Sequence, residues 1–208
     1  MKKRECFVTI GGTFLLMVFL FAACSSTPPV RYYTLNTLPE MQQDVSEAVS
    51  EDHVAIGLGP MAFPKYLNRP QILVRQSPNR IEVSEFNRWA SPFQGEFLRV
   101  LAKNISILLP MSRVAVYPWK DQFSPTHRIK LAVEQFDGRF GKHVILDITW
   151  SVAKQKDTNE PVVKNSLIKV PVSTEDYEAV VAAKSRALAE LGQEIAAAIK
   201  TVSRRGAN

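Results

Sequence analysis

Three histidines, two cysteines and one aspartate in a Phe-Asp-Gly run are where this 208-residue chain could carry chemistry. His53, His127 and His143 stand far apart. No two have the i, i+4 helical spacing that offers two imidazoles to one zinc ion. Each precedes a run that alternates apolar and polar residues, so each is expected at an exposed strand edge. The chain has no G-x-S-x-G, no H-E-x-x-H and no phosphate-binding P-loop. The run "IGLGP" lacks the third glycine and the following helix of a dinucleotide site. Asp137 is the right type for general acid–base work, and a hydrolase using Asp137 or His143 is the enzymatic alternative. Asp-Gly is also ordinary turn chemistry, and that is the expectation for Asp137. Arg88 and Trp89 read as a packing or cation–π pair. A non-enzyme with no metal and no organic cofactor is expected.

The cysteines point elsewhere. Lys2, Lys3 and Arg4 form a basic start, and residues 6–23 carry no charge. Small residues, Ala22 and Ala23, then precede Cys24. That is the order of a secretory signal: basic, apolar, small. Eighteen apolar residues also sit at the lower limit for a membrane-spanning helix, so an uncleaved anchor is the alternative. Gly11 and Gly12 weaken that helix by about 1 kcal/mol each relative to alanine. "FAAC" resembles the lipobox of bacterial lipoprotein signals, with Phe21 where that pattern usually has leucine. The resemblance implies removal of residues 1–23, acylation of Cys24 with chains such as palmitate, and a tether over residues 24–30. One acyl chain anchors only marginally, whereas two or three hold stably without a transmembrane helix. Ser25 follows where aspartate would signal retention in the inner membrane, which implies the outer membrane.

Removal of the leader also removes Cys6, so with Cys24 acylated no thiol is left for a disulfide or a nucleophile. The net charge of +6 falls to about +4 with the loss of three basic residues and one acidic one. That mild excess suits anionic lipid and does not argue for nucleic acid. Residues 31–208 are long enough for one domain with a real core.

Alternation and capping signals give the elements. "RYYTL" and "HVAIGLGP" read as strands, and "QILVRQSPNRIEVS" as a hairpin about its Ser-Pro-Asn. Residues 39–52 read as a polar loop. Ser91 is the expected N-cap of a helix, with Pro92 first and Gln94 completing a capping box. Phe93, Phe97, Val100, Leu101, Ile105 and Leu108 recur at helical spacing and are expected in the core. After "RVAVYPW" come three alternating runs, "HRIKLAVEQF", "HVILDITWSV" and "PVVKNSLIKV", read as an antiparallel meander. A last, long helix is expected to be capped by Ser173, with Val181, Leu188, Leu191, Ile195, Ile199 and Val202 as its buried stripe. The order β-β-β-β-α-β-β-β-β-α predicts an α+β fold: one mixed or antiparallel sheet with two main helices packed on it.

Taken in order, "YYTL" after the cysteine, "AIGLGPMAFPKYLNRPQILVR", "NRWASP", "RVLAKN", "VYPW" and "FDG" resemble the ABC-type transport auxiliary lipoprotein family. The resemblance implies a non-enzymatic periplasmic domain anchored in the outer membrane. It implies a partner too: an inner-membrane-anchored mammalian-cell-entry (MCE) protein that moves lipid between the membranes. A lipoprotein that only braces the envelope is the structural alternative. The family supplies no catalytic residues to carry over. The loop "FPKYLNRP" is the expected partner surface, because Phe63, Lys65, Tyr66 and Arg69 present binding-prone side chains on a proline-stiffened backbone. It would serve equally for self-association of the chain into a homo-oligomer. The opposing expectation is that Phe63, Tyr66 and Leu67 fold back and cover the sheet.

Overall fold

The computed structural model describes residues 28–38, 54–110, 112–119, 122–155, 157 and 160–205. The expected leader 1–23, the tether up to residue 27 and the polar loop 39–52 lie outside these, as does His53. Among the described residues, eight strands form one mixed sheet with two helices against it.

The sheet is organised by β6 (His127–Gly138) and β7 (His143–Lys154). They pair antiparallel from His127↔Lys154 to Gly138↔Val144, with one irregularity between Val133 and Gln135. Strand β8 (Val162–Pro171) adds to the far edge of β7, also antiparallel, as the meander expectation requires. On the other edge of β6 two strand groups follow one another. Strand β2 (Ala55–Ala62) runs parallel to the first half of β6, and β5 (Arg113–Val116) is parallel to β2. Where β2 ends, β3 (Gln71–Ser77) meets β6 at Val74↔Gly138. Strand β4 (Arg80–Trp89) completes the hairpin around Pro78 and Asn79, and β1 (Arg31–Tyr33) pairs parallel with β4. The parallel pairings are what the sequence did not announce, since alternation does not record the direction of a neighbour.

The helices are α1 (Phe93–Leu108) and α2 (Tyr177–Arg205). They touch each other; α2 covers β7 and β8, and α1 lies against β5. Their apolar stripes explain the placement. Phe93, Phe97, Val100, Leu101 and Ile105 are buried, while Leu108 is only half-buried. On α2 the whole expected stripe from Val181 to Val202 is buried. The inward residues of β7, from Val144 to Trp150 and Val152, meet these stripes in one contiguous core.

Both helix starts differ from expectation. Pro92 has ψ 123°, an extended value, so it occupies the cap position itself and α1 begins at Phe93. The Ser91 hydroxyl donates to Glu96 at 2.7 Å and not to the helix backbone. On α2 the cap is Asp176, whose carboxylate accepts from the Ala179 amide at 2.8 Å. A carboxylate at this pole is stabilised by the helix dipole as well as by the bond.

Gly95 is the third residue of α1, and a Cβ placed on it would meet no atom within 4 Å. Nothing in the fold therefore requires glycine there, and glycine weakens a helix. Gly95→Ala is expected to raise stability by about 0.5–1 kcal/mol. An unchanged or lower unfolding midpoint in denaturant would contradict this. Among the described residues, no helix is long and apolar enough to cross a membrane.

Candidate partner-docking site

Loop 63–70 joins β2 to β3 and divides its side chains between core and solvent. Leu67 is buried, and Phe63 is half-buried with its ring 5.8 Å from Phe93 and 6.0 Å from Phe97, both edge-on. Lys65, Tyr66 and Arg69 are exposed. Two residues thus anchor the loop and three face outward. Its backbone closes on itself through Leu67 N–H to Pro64 C=O and Asn68 N–H to Lys65 C=O, at 3.0 and 3.2 Å.

Tyr66 has a second role. Its hydroxyl donates to Asp137 Oδ1 at 3.2 Å. Asp137 is not in a turn, contrary to expectation. It is the penultimate residue of β6, opposite Ile145, and only 4% exposed. The turn comes later, at Gly141 with φ 59°. Gly138 is needed for another reason: a Cβ there would lie 2.6 Å from Val180 of α2. The Asp137 carboxylate also accepts from Arg75 Nε at 2.7 Å, from Arg75 Nη2, and from Gln135 Nε2 at 3.1 Å. Four donors fill the lone-pair directions of one carboxylate. Burial, then the charge of Asp137 and its hydrogen bond, pushes the Tyr66 phenol up to about 12. The hub therefore clamps the loop to the sheet, and its carboxylate is fully engaged as an acceptor rather than free for acid–base work.

On the helix side of the same strand lies Lys184, 2% exposed. Its ammonium donates to the Phe136 carbonyl and sits 4.2 Å from the Phe136 ring centre and 4.9 Å from that of Phe93. Burial, opposed by the attraction of Asp137, pushes it down to about 7. Sequence reading missed this residue, although the signal was present. Lys184 falls three residues after Val181 and four before Leu188, on the buried stripe itself.

The other chemistry-bearing residues are elsewhere. His143 begins β7, half-buried, opposite Pro171. Arg88 is half-buried and donates to the Glu85 carbonyl, while Trp89 is buried and stacks on Phe93 at 4.3 Å. His127 is not exposed as expected but 3% exposed, because the C-terminal part of α2 lies over the start of β6. Its Nδ1 is 3.1 Å from Thr126 Oγ1 and its Nε2 is 3.2 Å from Ser203 Oγ. A serine–histidine pair of this kind resembles a nucleophile and base. Here, however, the third group is a hydroxyl, and the charge that acts on the ring is the cationic Lys154. A catalytic imidazole is oriented and made more basic by a carboxylate. This one is made less basic by burial, and secondarily by Lys154. Among the described residues, no group of three histidine, cysteine, aspartate or glutamate side chains is placed to hold a metal.

The depressed histidine has a measurable consequence. The unfolded chain takes up a proton at His127 near pH 6.5, while the folded chain resists it to lower pH. Stability from this group is complete above pH 6.5 and is lost as pH falls below it. His127→Gln is therefore expected to flatten the loss of melting temperature between pH 7 and pH 5. A slope equal to that of the parent protein would contradict this.

The chain is similar to known proteins over most of its length. Over 152 residues it is 26% identical to the intermembrane transport lipoprotein PqiC of Escherichia coli strain K12, covering 73% of this chain and 75% of that one. PqiC of Shigella flexneri matches to the same extent. The crystal structure of an uncharacterized protein shares the fold with a TM-score of 0.66 at 20% identity, covering 83% of this chain and 99% of that one. A protein from Xanthomonas campestris does so at 0.61 and 14% identity, covering 84% and 99%. The family model for the ABC-type transport auxiliary lipoprotein component matches residues 33–196, and the chain belongs to that family.

Proposed function

We propose that this chain is a non-enzymatic accessory lipoprotein of a system that moves lipid between the inner and outer membranes. Removal of residues 1–23 exposes Cys24, which is acylated; Ser25 directs the protein to the outer membrane, and residues 31–208 form its single periplasmic domain. Its partner is an MCE-type protein anchored in the inner membrane, and the same surface is available for homo-oligomer formation. The observation that carries this reading is the similarity to an intermembrane transport lipoprotein over 152 residues. The "FAAC" run upstream of the matched region agrees with it. A saturated Asp137 carboxylate and a weakened His127 base supply no poised acid–base pair, which supports a non-enzymatic role.

Within this reading, Lys65, Tyr66 and Arg69 face the partner, and Phe63 and Leu67 hold the loop in position. Membrane fractionation of Cys24→Ala tests the anchor: the variant is expected to stay as uncleaved precursor or to leave the outer membrane. Normal fractionation would refute it. Copurification of an inner-membrane MCE-type protein with the intact chain tests the partnership. The double change Tyr66→Ala, Arg69→Ala is expected to abolish that copurification while the protein still folds. Unchanged copurification would remove the loop from the partner surface.

A further inference from the structure

Loop 63–70, α1 and the end of β5 enclose an open groove of about 520 Å³. Gly95, Leu98 and Ala102, on the outward side of α1, make its floor. Val116 and Tyr117 make one wall, and Tyr117 is 51% exposed. Helix α1 is therefore apolar on two sides, one turned to the core and one to this groove. Polar groups are confined to the end and rim. Asn68 Nδ2 reaches Gln94 Oε1 at 3.5 Å, and Arg99 lies beside them.

Two independent features show that the groove is shaped for an occupant. The first is Gly95. The helix bears its cost although a side chain there would meet nothing within 4 Å, so the open space itself is what the glycine preserves. The second is charge. The Glu96 carboxylate is turned inward, 9% exposed, held by Ser91 and Thr34 as well as by Arg99 at 2.7 Å. The Arg99 side chain is 55% exposed, and exposed Lys65 and Arg69 flank Asn68 in the loop. An apolar floor with a cationic rim complements a molecule with an apolar chain and an anionic head. Size decides between a lipid and a protein. A groove of this volume lies within the roughly 300–1,000 Å³ of small-molecule sites, whereas a stable protein interface must bury more than about 1,000 Å².

We propose that this groove binds an acyl chain of an anionic phospholipid, with the phosphate at Arg99 and the loop cations. The proposal rests on the lipid-transport reading above and assigns the lipid to a surface of this chain. The test uses the full-length protein in cells grown on radiolabelled phosphate, with Tyr117→p-benzoylphenylalanine as the photocrosslinker. Irradiation is expected to place the label on a band at the mass of the single chain. Adding Gly95→Leu fills the groove floor without a clash, so the protein is expected to melt no lower. Labelling should fall about fivefold or more, the result of losing about 1 kcal/mol of affinity. Val163→p-benzoylphenylalanine, 65% exposed on the sheet face away from the helices, is the control for random contact with membrane. The proposal is overturned by no labelled adduct, by equal labelling from position 163, or by labelling that survives Gly95→Leu. It is equally overturned by an adduct at the mass of two chains or of a second protein. Copurification of the inner-membrane partner alongside a missing lipid adduct would sink the groove and leave the transport reading standing.

Discussion

Asp137→Ala is expected to destabilise the protein by about 3–5 kcal/mol, the range for removing one partner of a buried ion pair. Arg75 keeps a guanidinium that is only 22% exposed with no carboxylate to meet it. Tyr66 and Gln135 each lose an acceptor as well. Leaving donors unsatisfied costs more than the bonds were worth, since each donor also forfeits its water. For a chain of this size the melting temperature should fall by roughly 10 °C. Arg75→Met in the same background should recover part of the loss, because it removes the stranded charge. A loss below about 1 kcal/mol would show that the hub is solvated and holds nothing. The change should also release loop 63–70, whose outward residues are the proposed partner surface, so partner capture should weaken with stability.

Lys184→Met is expected to act in the opposite direction. An ammonium with 2% exposure is costly even with a carbonyl and two aromatic faces around it. Methionine matches its length and is welcome among Phe93, Phe136 and the rest of the core. The pH dependence separates this from a simple packing gain. The unfolded lysine holds its proton up to about 10.5, and the folded one releases it at about 7. Between those values the unfolded state binds more protons, so raising pH favours the fold by about 1.4 kcal/mol per unit from this residue. Below pH 7 both states are protonated and the penalty is constant. The advantage of Lys184→Met should therefore be greatest at pH 7 and below, of order 1–4 kcal/mol. It should shrink as pH approaches 10. A variant less stable than the parent at pH 7, with a difference that does not change up to pH 10, would refute the depressed lysine.

The helix stripes were legible because a 3.6-residue period is a property of neighbouring positions alone. Phe93 to Ile105 and Val181 to Val202 needed no knowledge of what they pack against. The same holds for the alternation in β6, β7 and β8 and for the turn at Pro78 and Asn79. The docking loop was legible in part: its prolines and aromatics marked it, but which side chains turn inward depends on Phe93 and Phe97, thirty residues on. Asp137 was misread because Asp-Gly favours a turn locally. The strand wins because the pairing with β7 continues through Gly138 and four donors from three segments converge on the carboxylate. Lys184 stood on a visible stripe, yet exposure is the default for lysine, and only the packing of α2 against Phe136 overrides it.

What the sequence determined by itself was therefore the set of elements, their apolar faces, the α+β class and, through its ordered motifs, the family. What only the tertiary structure decided was direction and company. It set β2, β5 and β6 parallel, buried His127 under α2, engaged Asp137 and left the outer side of α1 open at Gly95. These depend on contacts between residues tens of positions apart. Local propensity carries no information about such contacts, because the free energy that selects them is gained only when the distant segments meet.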